Sequence, residues 1–558
     1  MTAASRRLYR GTAFVCLVWA CTPHRPAPAP AASPAGAAVA LARAESAYAD
    51  LRALRDRIAV TTAAGRNQGP NGAPVATLAR RADGLRALLV PRLGAIDSAA
   101  LPEEDRRALA VMRRTLASTL GPVEDSIASA AADTTAPNCA YDPRAIAGST
   151  GASGLRARVY ACYGWTEQHI RLDGKALSRL SLAGESNPER RRRMFLALAP
   201  LWRSVDGDGG ADSPYRLLLR LVPHGSEPPA AASARALGIE PDSLEPWLIR
   251  ILETWRASNP DTLIEPWDWG YFVGRANRVL DARISRDRLD TLNVQVYRAL
   301  GADPALLHVH YDLAPRAGKT PVAYTDFGGR ARRVGGAWTP AEPWVFATYE
   351  SGGLDNLDEL LHETGHAVHI AAIRTRPAFL DWPDSDPFTE ALAEFVALDV
   401  YEPAWQWRWL GDSVPLAVGL RARYGGIVMD VAWALFEARL ERNPALDPNE
   451  VWTTITRDYL RIRPHPELSW WAMRGQLVDS PGYMMNYAAG AIVIAAIRAR
   501  TRELHGAFAT GDSTWYGWVA PRLYRWGLER PSRQVITDFL GGPVKPAAIL
   551  EDMGRMRP

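Results

Sequence analysis

The chain has 558 residues, 47% of them hydrophobic, and 65 Lys and Arg stand against 61 Asp and Glu, a formal net charge of +4. That is enough apolar material for a sizeable core and too even a charge balance for a nucleic-acid surface. The basic side is almost all Arg, with Lys only at Lys175, Lys319 and Lys545, a pattern of genome bias more than of function; the 20 Trp fit either core packing or an aromatic-lined groove.

Residues 1–21 have the build of an export signal. Arg6, Arg7 and Arg10 precede an apolar stretch, residues 12–20, that is too short for a membrane span. Val18, Trp19, Ala20 and Cys21 resemble a bacterial lipobox, so the protein is expected to be exported and either lipid-anchored through Cys21, periplasmic or secreted. Residues 22–38 are Pro- and Ala-rich and read as an extended linker.

From residue 39 the pattern turns helical. Leu41, Ala44, Tyr48, Leu51, Leu54 and Ile58 recur at three- and four-residue steps, and residues 65–74 break this run from the next. Helices that long need neighbours, so residues 39–300 are expected to form a mostly helical lobe. Within it, residues 133–155 read as a long loop of Asp, Thr, Pro, Gly and Ser. Cys139 and Cys162 form an isolated pair there, either two free thiols or, in an oxidising compartment, a disulfide. Asn187 and Pro188 start a helix, and Arg190 to Arg193 read as its solvated face.

Residues 301–500 carry the chemistry. Residues 344–349 are the best strand candidate, with either an ordinary buried role or an open edge at Phe346 and Ala347 that takes a peptide as an added strand. Next comes His362-Glu363-Thr364-Gly365-His366 on an apolar helix. Residues four apart share a helix face, so His362 and His366 can aim ring nitrogens at one zinc ion, while Glu363, rotated by about 100°, is placed to deprotonate a water on that ion. Gly365 sits mid-helix, where it costs about 1 kcal/mol against Ala, and suggests close approach of another backbone.

Glu390 and Glu394, again four apart on an apolar helix, are either a solvated acidic stripe or the completion of the site. We assign Glu390 as third ligand and Glu394 as the carboxylate that orients a ligand imidazole. Further on, Tyr483 and Tyr487 share a helix face; they are either packing residues or donors that stabilise the charge developing on an amide carbonyl. Residues 501–558 read as a helical segment packed on this core.

Several of these stretches resemble the gluzincin peptidases, in particular thimet oligopeptidase and oligoendopeptidase F, and more distantly angiotensin-converting enzyme. Residues 362–369 are similar to their H-E-x-G-H-A-x-H, and Glu390 and Glu394 fall where those families carry the ligand Glu and an acidic helper. Residues 311–319 resemble their D-L-x-x-R-x-G-K segment, residues 265–269 a P-W-D-W element, and residues 483–490 the tyrosine-rich helix. The resemblance covers roughly residues 260–500. It implies a mainly α, two-lobed fold with a deep central cleft, a small sheet next to the zinc helix, one Zn2+ per chain and hydrolysis of peptides. The expected partners are peptide substrates, with no nucleic acid, and the chain is expected to be a monomer. One departure stands out. The families place a His shortly before the tyrosines, where this chain offers Gln476, with His465 too distant to match. That substitution leaves a second reading open, a non-catalytic zinc-containing lipoprotein that binds peptides. Glu363 argues against it, and so does the lack of a nearby Cys to close a four-ligand structural site.

Overall fold

The computed structural model describes residues 34–557 apart from 67, 69–71, 119, 121–136, 140–141, 178–180, 222–226, 317–318 and 320–321. The expected export signal, Cys21 and most of the linker therefore lie outside the described residues. The chain is mainly α, with a small three-stranded sheet, and among the described residues no helix is long and apolar enough to cross a membrane.

The first helix, Pro34–Ala63, begins inside the expected linker, so residues 34–38 are helical. It packs with Val75–Gly94 and Glu103–Ser118 around a core of their own, built from residues such as Leu41, Tyr48, Leu51, Leu89, Leu109 and Met112, and closed by Phe379. A second, much larger core draws on residues from Leu155 to Met556, and a third, small cluster gathers Phe327, Ile370, Ile373 and Leu380. The fully buried Trp255, Trp405, Trp452, Trp471 and Trp515 are core residues.

The loop expected at residues 133–155 is in large part a helix, Pro143–His169. Asp142 caps it by accepting the Arg144 N–H at 2.9 Å, and Pro143 occupies the first turn, where a missing N–H costs nothing. The small residues that suggested a loop are tolerated because Gly151, at φ 69°, takes up a kink inside it. Cys139 and Cys162 are joined in a disulfide that ties the preceding segment to this helix.

The two cores meet across charged pairs with little solvent. Arg330 reaches Asp56 at 2.7 Å and Asp381 at 3.2 Å; Arg52 reaches Asp381 at 2.7 Å; Arg376 reaches Glu45 at 2.7 Å and Asp105 at 2.8 Å. All but Arg330–Asp381 join the first three helices to the larger body, and that pair shares its members with two that do.

In that body, a motif helix, Leu354–Ala372, lies against a second helix, Asp386–Ala397, which lies in turn against a third, Met484–Leu504. Leu357, Leu360, Leu361 and Val368 are fully buried. The first contact is nearly backbone to backbone, because a Cβ on Gly365 would stand 2.4 Å from the Ala393 carbonyl oxygen. The second is almost as close, a Cβ on Gly490 falling 3.1 Å from Pro387 O. Arg498, 1% exposed, locks the stack by donating to Phe395 O, a carbonyl at the end of the second helix, and to Asp399.

The start of the motif helix is fixed from outside. Asp281 accepts the Leu354 N–H at 2.8 Å, Gly353 has φ 112°, and a Cβ on Gly352 would overlap Ile284 O. The sheet beside it has Glu342–Phe346 in the centre, parallel to His310–Asp312 and antiparallel to Tyr324–Gly329.

Two outcomes follow. Arg330→Met leaves Asp56 and Asp381 short of their shared buried cation and lowers unfolding free energy by about 3–5 kcal/mol in denaturant melts. Gly365→Ala forces the two helices apart and costs about 1–3 kcal/mol in the same measurement, against a gain from helix propensity alone of about 1 kcal/mol.

Candidate metal centre

The contact at Gly365 brings the two ligand-bearing faces together. His362 Nε2 lies 3.4 Å from Glu390 Oε2, and His366 Nε2 lies 3.8 Å from Glu390 Oε1. One donor atom from each of the three residues falls within 4.8 Å of the others. The imidazole planes stand at 87° to each other, so their Nε2 lone pairs meet over the carboxylate from different directions.

His362 uses its other nitrogen, Nδ1, on Glu394 Oε1 at 2.9 Å. That contact fixes which nitrogen faces the cluster, the usual arrangement of a metal-bound histidine backed by a carboxylate. His366 Nδ1 is buried with no hydrogen-bond partner, so its only polar direction is towards Glu390. Two imidazoles and a carboxylate that converge with one face left open match the donor set of a catalytic zinc, and the residues fit the ion.

Charge in this pocket is polarised. Burial pulls His362 down, but the carboxylates of Glu394 and Glu390 outweigh it and hold its proton well above the ordinary range. Burial lowers His366 to about 4, leaving it neutral. Burial would raise Glu390, yet the two histidines bring it to about 2. Glu363, in the same buried setting, is pushed up to about 7, with His362 and Thr325 opposing the shift.

Thr325 was not singled out by sequence. Its hydroxyl donates to Glu363 Oε2 at 2.7 Å and to the Glu363 carbonyl at 2.9 Å. Pairing explains the reach: Tyr311, Val345 and Thr325 are register partners across the three strands, so all three face the motif helix. Tyr311 uses the same face for a 3.1 Å contact between its hydroxyl and that of Thr364.

The same alternation corrects the expectation for Phe346 and Ala347. Phe346 follows Val345 and so points to the opposite face, where it stacks on Tyr324 with ring centroids 5.0 Å apart. Both edges of its strand are taken. Ala347 donates its N–H to Asp312 O at 3.1 Å, and its carbonyl accepts from Lys319 Nζ at 2.5 Å. Neither backbone is free to pair with a peptide. The outer edge of the Tyr324–Gly329 strand, the one carrying Thr325, has no strand partner among the described residues.

Tyr483 and Tyr487 come to the cluster from the third helix. Their rings stand 5.4 Å apart, and both phenols are raised by burial and by the charge of Glu390. Gln476 is not joined to them: it opens the short helix Gln476–Asp479, and no hydrogen bond links its side chain to the tyrosines or to the metal-site residues. The cation beside the pair is Arg474, whose guanidinium lies 5.8 Å from the Tyr487 ring and forms an ion pair with Asp430. His465 is engaged elsewhere, with Glu265 at 2.9 Å and Glu467 at 2.7 Å.

No protein-family model matches the chain, and no curated protein does. Solved structures do. An M32 carboxypeptidase from Deinococcus radiodurans R1 is 15% identical, over 93% of this chain and 99% of that one, with a TM-score of 0.53. A carboxypeptidase from Pyrococcus furiosus is 14% identical, over 92% and 98%, with a TM-score of 0.51. PZ peptidase A, solved with an inhibitor, is 12% identical, over 86% and 89%, with a TM-score of 0.51. At these identities the likeness is one of fold, and it extends over nearly the whole length of each chain.

Proposed function

We propose that the chain is a zinc-dependent peptidase that acts on peptides or oligopeptides. The observation that carries this reading is the convergence of His362, His366 and Glu390 donor atoms within 4.8 Å, with Glu363 buried beside them. The fold shared with structures titled carboxypeptidase and peptidase supports peptides as the substrate class.

His362, His366 and Glu390 would hold the ion. When bound, zinc supplies Lewis-acid polarisation of a carbonyl and acidifies water. The chain's own groups do the rest. Thr325 occupies one oxygen of Glu363, which leaves the other to take a proton from the attacking water and return it to the departing amine. Tyr483 or Tyr487 donates a phenol hydrogen bond to the carbonyl oxygen as it gains charge. A substrate backbone would lie along the outer edge of the Tyr324–Gly329 strand, near Glu363 through Thr325.

An exported location belongs to this reading. The Arg-then-apolar N-terminus ending at Cys21 and the Cys139–Cys162 disulfide both suit an oxidising compartment outside the cytosol.

Incubating the purified chain with a mixed peptide library should give cleavage that a chelator abolishes and added zinc restores. Glu363→Gln should keep one zinc per chain by elemental analysis while kcat falls at least about 10²-fold; a variant with bound zinc and full turnover would remove Glu363 from the chemistry. Glu390→Gln or His366→Ala should weaken zinc binding itself, read by competition with a chromogenic chelator, and Glu394→Ala should weaken it by about 10–100-fold through its partner His362.

A further inference from the structure

The helix that carries the tyrosines does not start on its own residues. Met484–Leu504 follows the turn at Ser480, Pro481 and Gly482, and Tyr483 has no side-chain cap bond. The first N–H groups of a helix have no partner within it and must be met from outside. Here the partner is a carboxyl on a different helix. Glu437, on Leu416–Arg442, is 2% exposed, and its Oε1 accepts the Gly482 N–H at 2.6 Å. Its other oxygen, Oε2, is buried and has no hydrogen-bond partner.

A buried carboxyl is costly unless hydrogen bonds or a cation meet it. Among the described residues Glu437 has no ion pair with a Lys or Arg. Its neighbour one turn on is another acid, Glu441. The side chain is therefore held where it is by the Gly482 N–H, and the turn is held by it. The opposite wall is equally tight. Gly482 has φ +81°, and a Cβ there would lie 2.5 Å from Pro229 Cβ. The turn is gripped between Glu437 and the Pro229 backbone, and the next residue is Tyr483.

We propose that Glu437 is a positioning residue for peptide hydrolysis: by accepting the Gly482 N–H it fixes the turn that aims Tyr483 and Tyr487 at the Glu390 side of the centre. This rests on the peptidase reading above, because it assigns the purpose of that precision. Glu437 touches neither metal ligand nor substrate and acts through the two phenols.

The test uses the full chain loaded with Zn2+, as wild type, Glu437→Asp, Glu437→Leu and Glu437→Gln. Asp withdraws the carboxylate by one C–C bond, Leu removes the acceptor and Gln keeps one acceptor oxygen. A displacement of that size at a catalytic group is worth up to about 10²-fold. We expect kcat to fall about tenfold in Asp and more in Leu, KM to move by less than about threefold, zinc content to stay at one per chain, and Gln to recover most of the rate. Amide exchange at Gly482 should quicken in Asp and Leu. Wild-type kcat in Glu437→Asp would overturn the proposal even if Glu437→Leu fails to fold, as would exchange at the Gly482 amide that Asp leaves unchanged. If the wild type cleaves no peptide, the peptidase reading fails by itself, while exchange still reports whether Glu437 holds the turn.

Discussion

The centre depends on one steric fact, the near backbone contact of two helices at Gly365 and Ala393. Any side chain at Gly365 would meet the Ala393 carbonyl oxygen, so only glycine lets the axes come this close. Two short donors, imidazole and carboxylate, can converge on one point only across such a gap. The Gly490 contact with Pro387 repeats the device on the other side of the second helix and brings the tyrosines within the field of Glu390. Three helices in two close contacts thus place ligands, base and phenols around one point.

A second theme is how this interior keeps charge. Buried carboxyls are frequent, and several are answered locally. His362 answers Glu394, Thr325 answers Glu363, Arg498 answers Asp399, and the Gly482 N–H answers one oxygen of Glu437. A buried charge held by one partner has one favourable geometry, so these pairs convert electrostatics into position. The Glu390 carboxylate is answered by two imidazole nitrogens at once, and those three residues supply the donor atoms a divalent cation would need. On the outside of the core the same logic joins the first three helices to the rest through Arg330, Arg52 and Arg376.

Much of this was legible in the sequence where the information is periodic. The four-residue spacing of His362 and His366, and of Glu390 and Glu394, states which side chains share a face, and Gly365 within an apolar helix announces a close neighbour. The alternation of helices and the break at residues 65–74 were equally readable. What the sequence hid is set by pairing between distant segments. Strand order decides that Phe346 turns away from the site and that Thr325 turns towards it, and no local pattern encodes strand order. Arg474, Arg498 and Glu437 act over separations that only the folded chain closes. At residues 143–155 a glycine- and serine-rich composition concealed a helix whose Asp142-Pro143 start was in plain view.

The most direct measurement is anomalous X-ray scattering at the zinc edge from crystals grown with Zn2+. The account predicts one peak per chain, bonded by His362 Nε2, His366 Nε2 and Glu390 at about 2.0–2.2 Å, with Glu394 still on His362 Nδ1 and one coordination place open to solvent. Zinc bound at other residues, or a Glu390 carboxylate turned away from the two imidazoles with no other acid in its place, would contradict it.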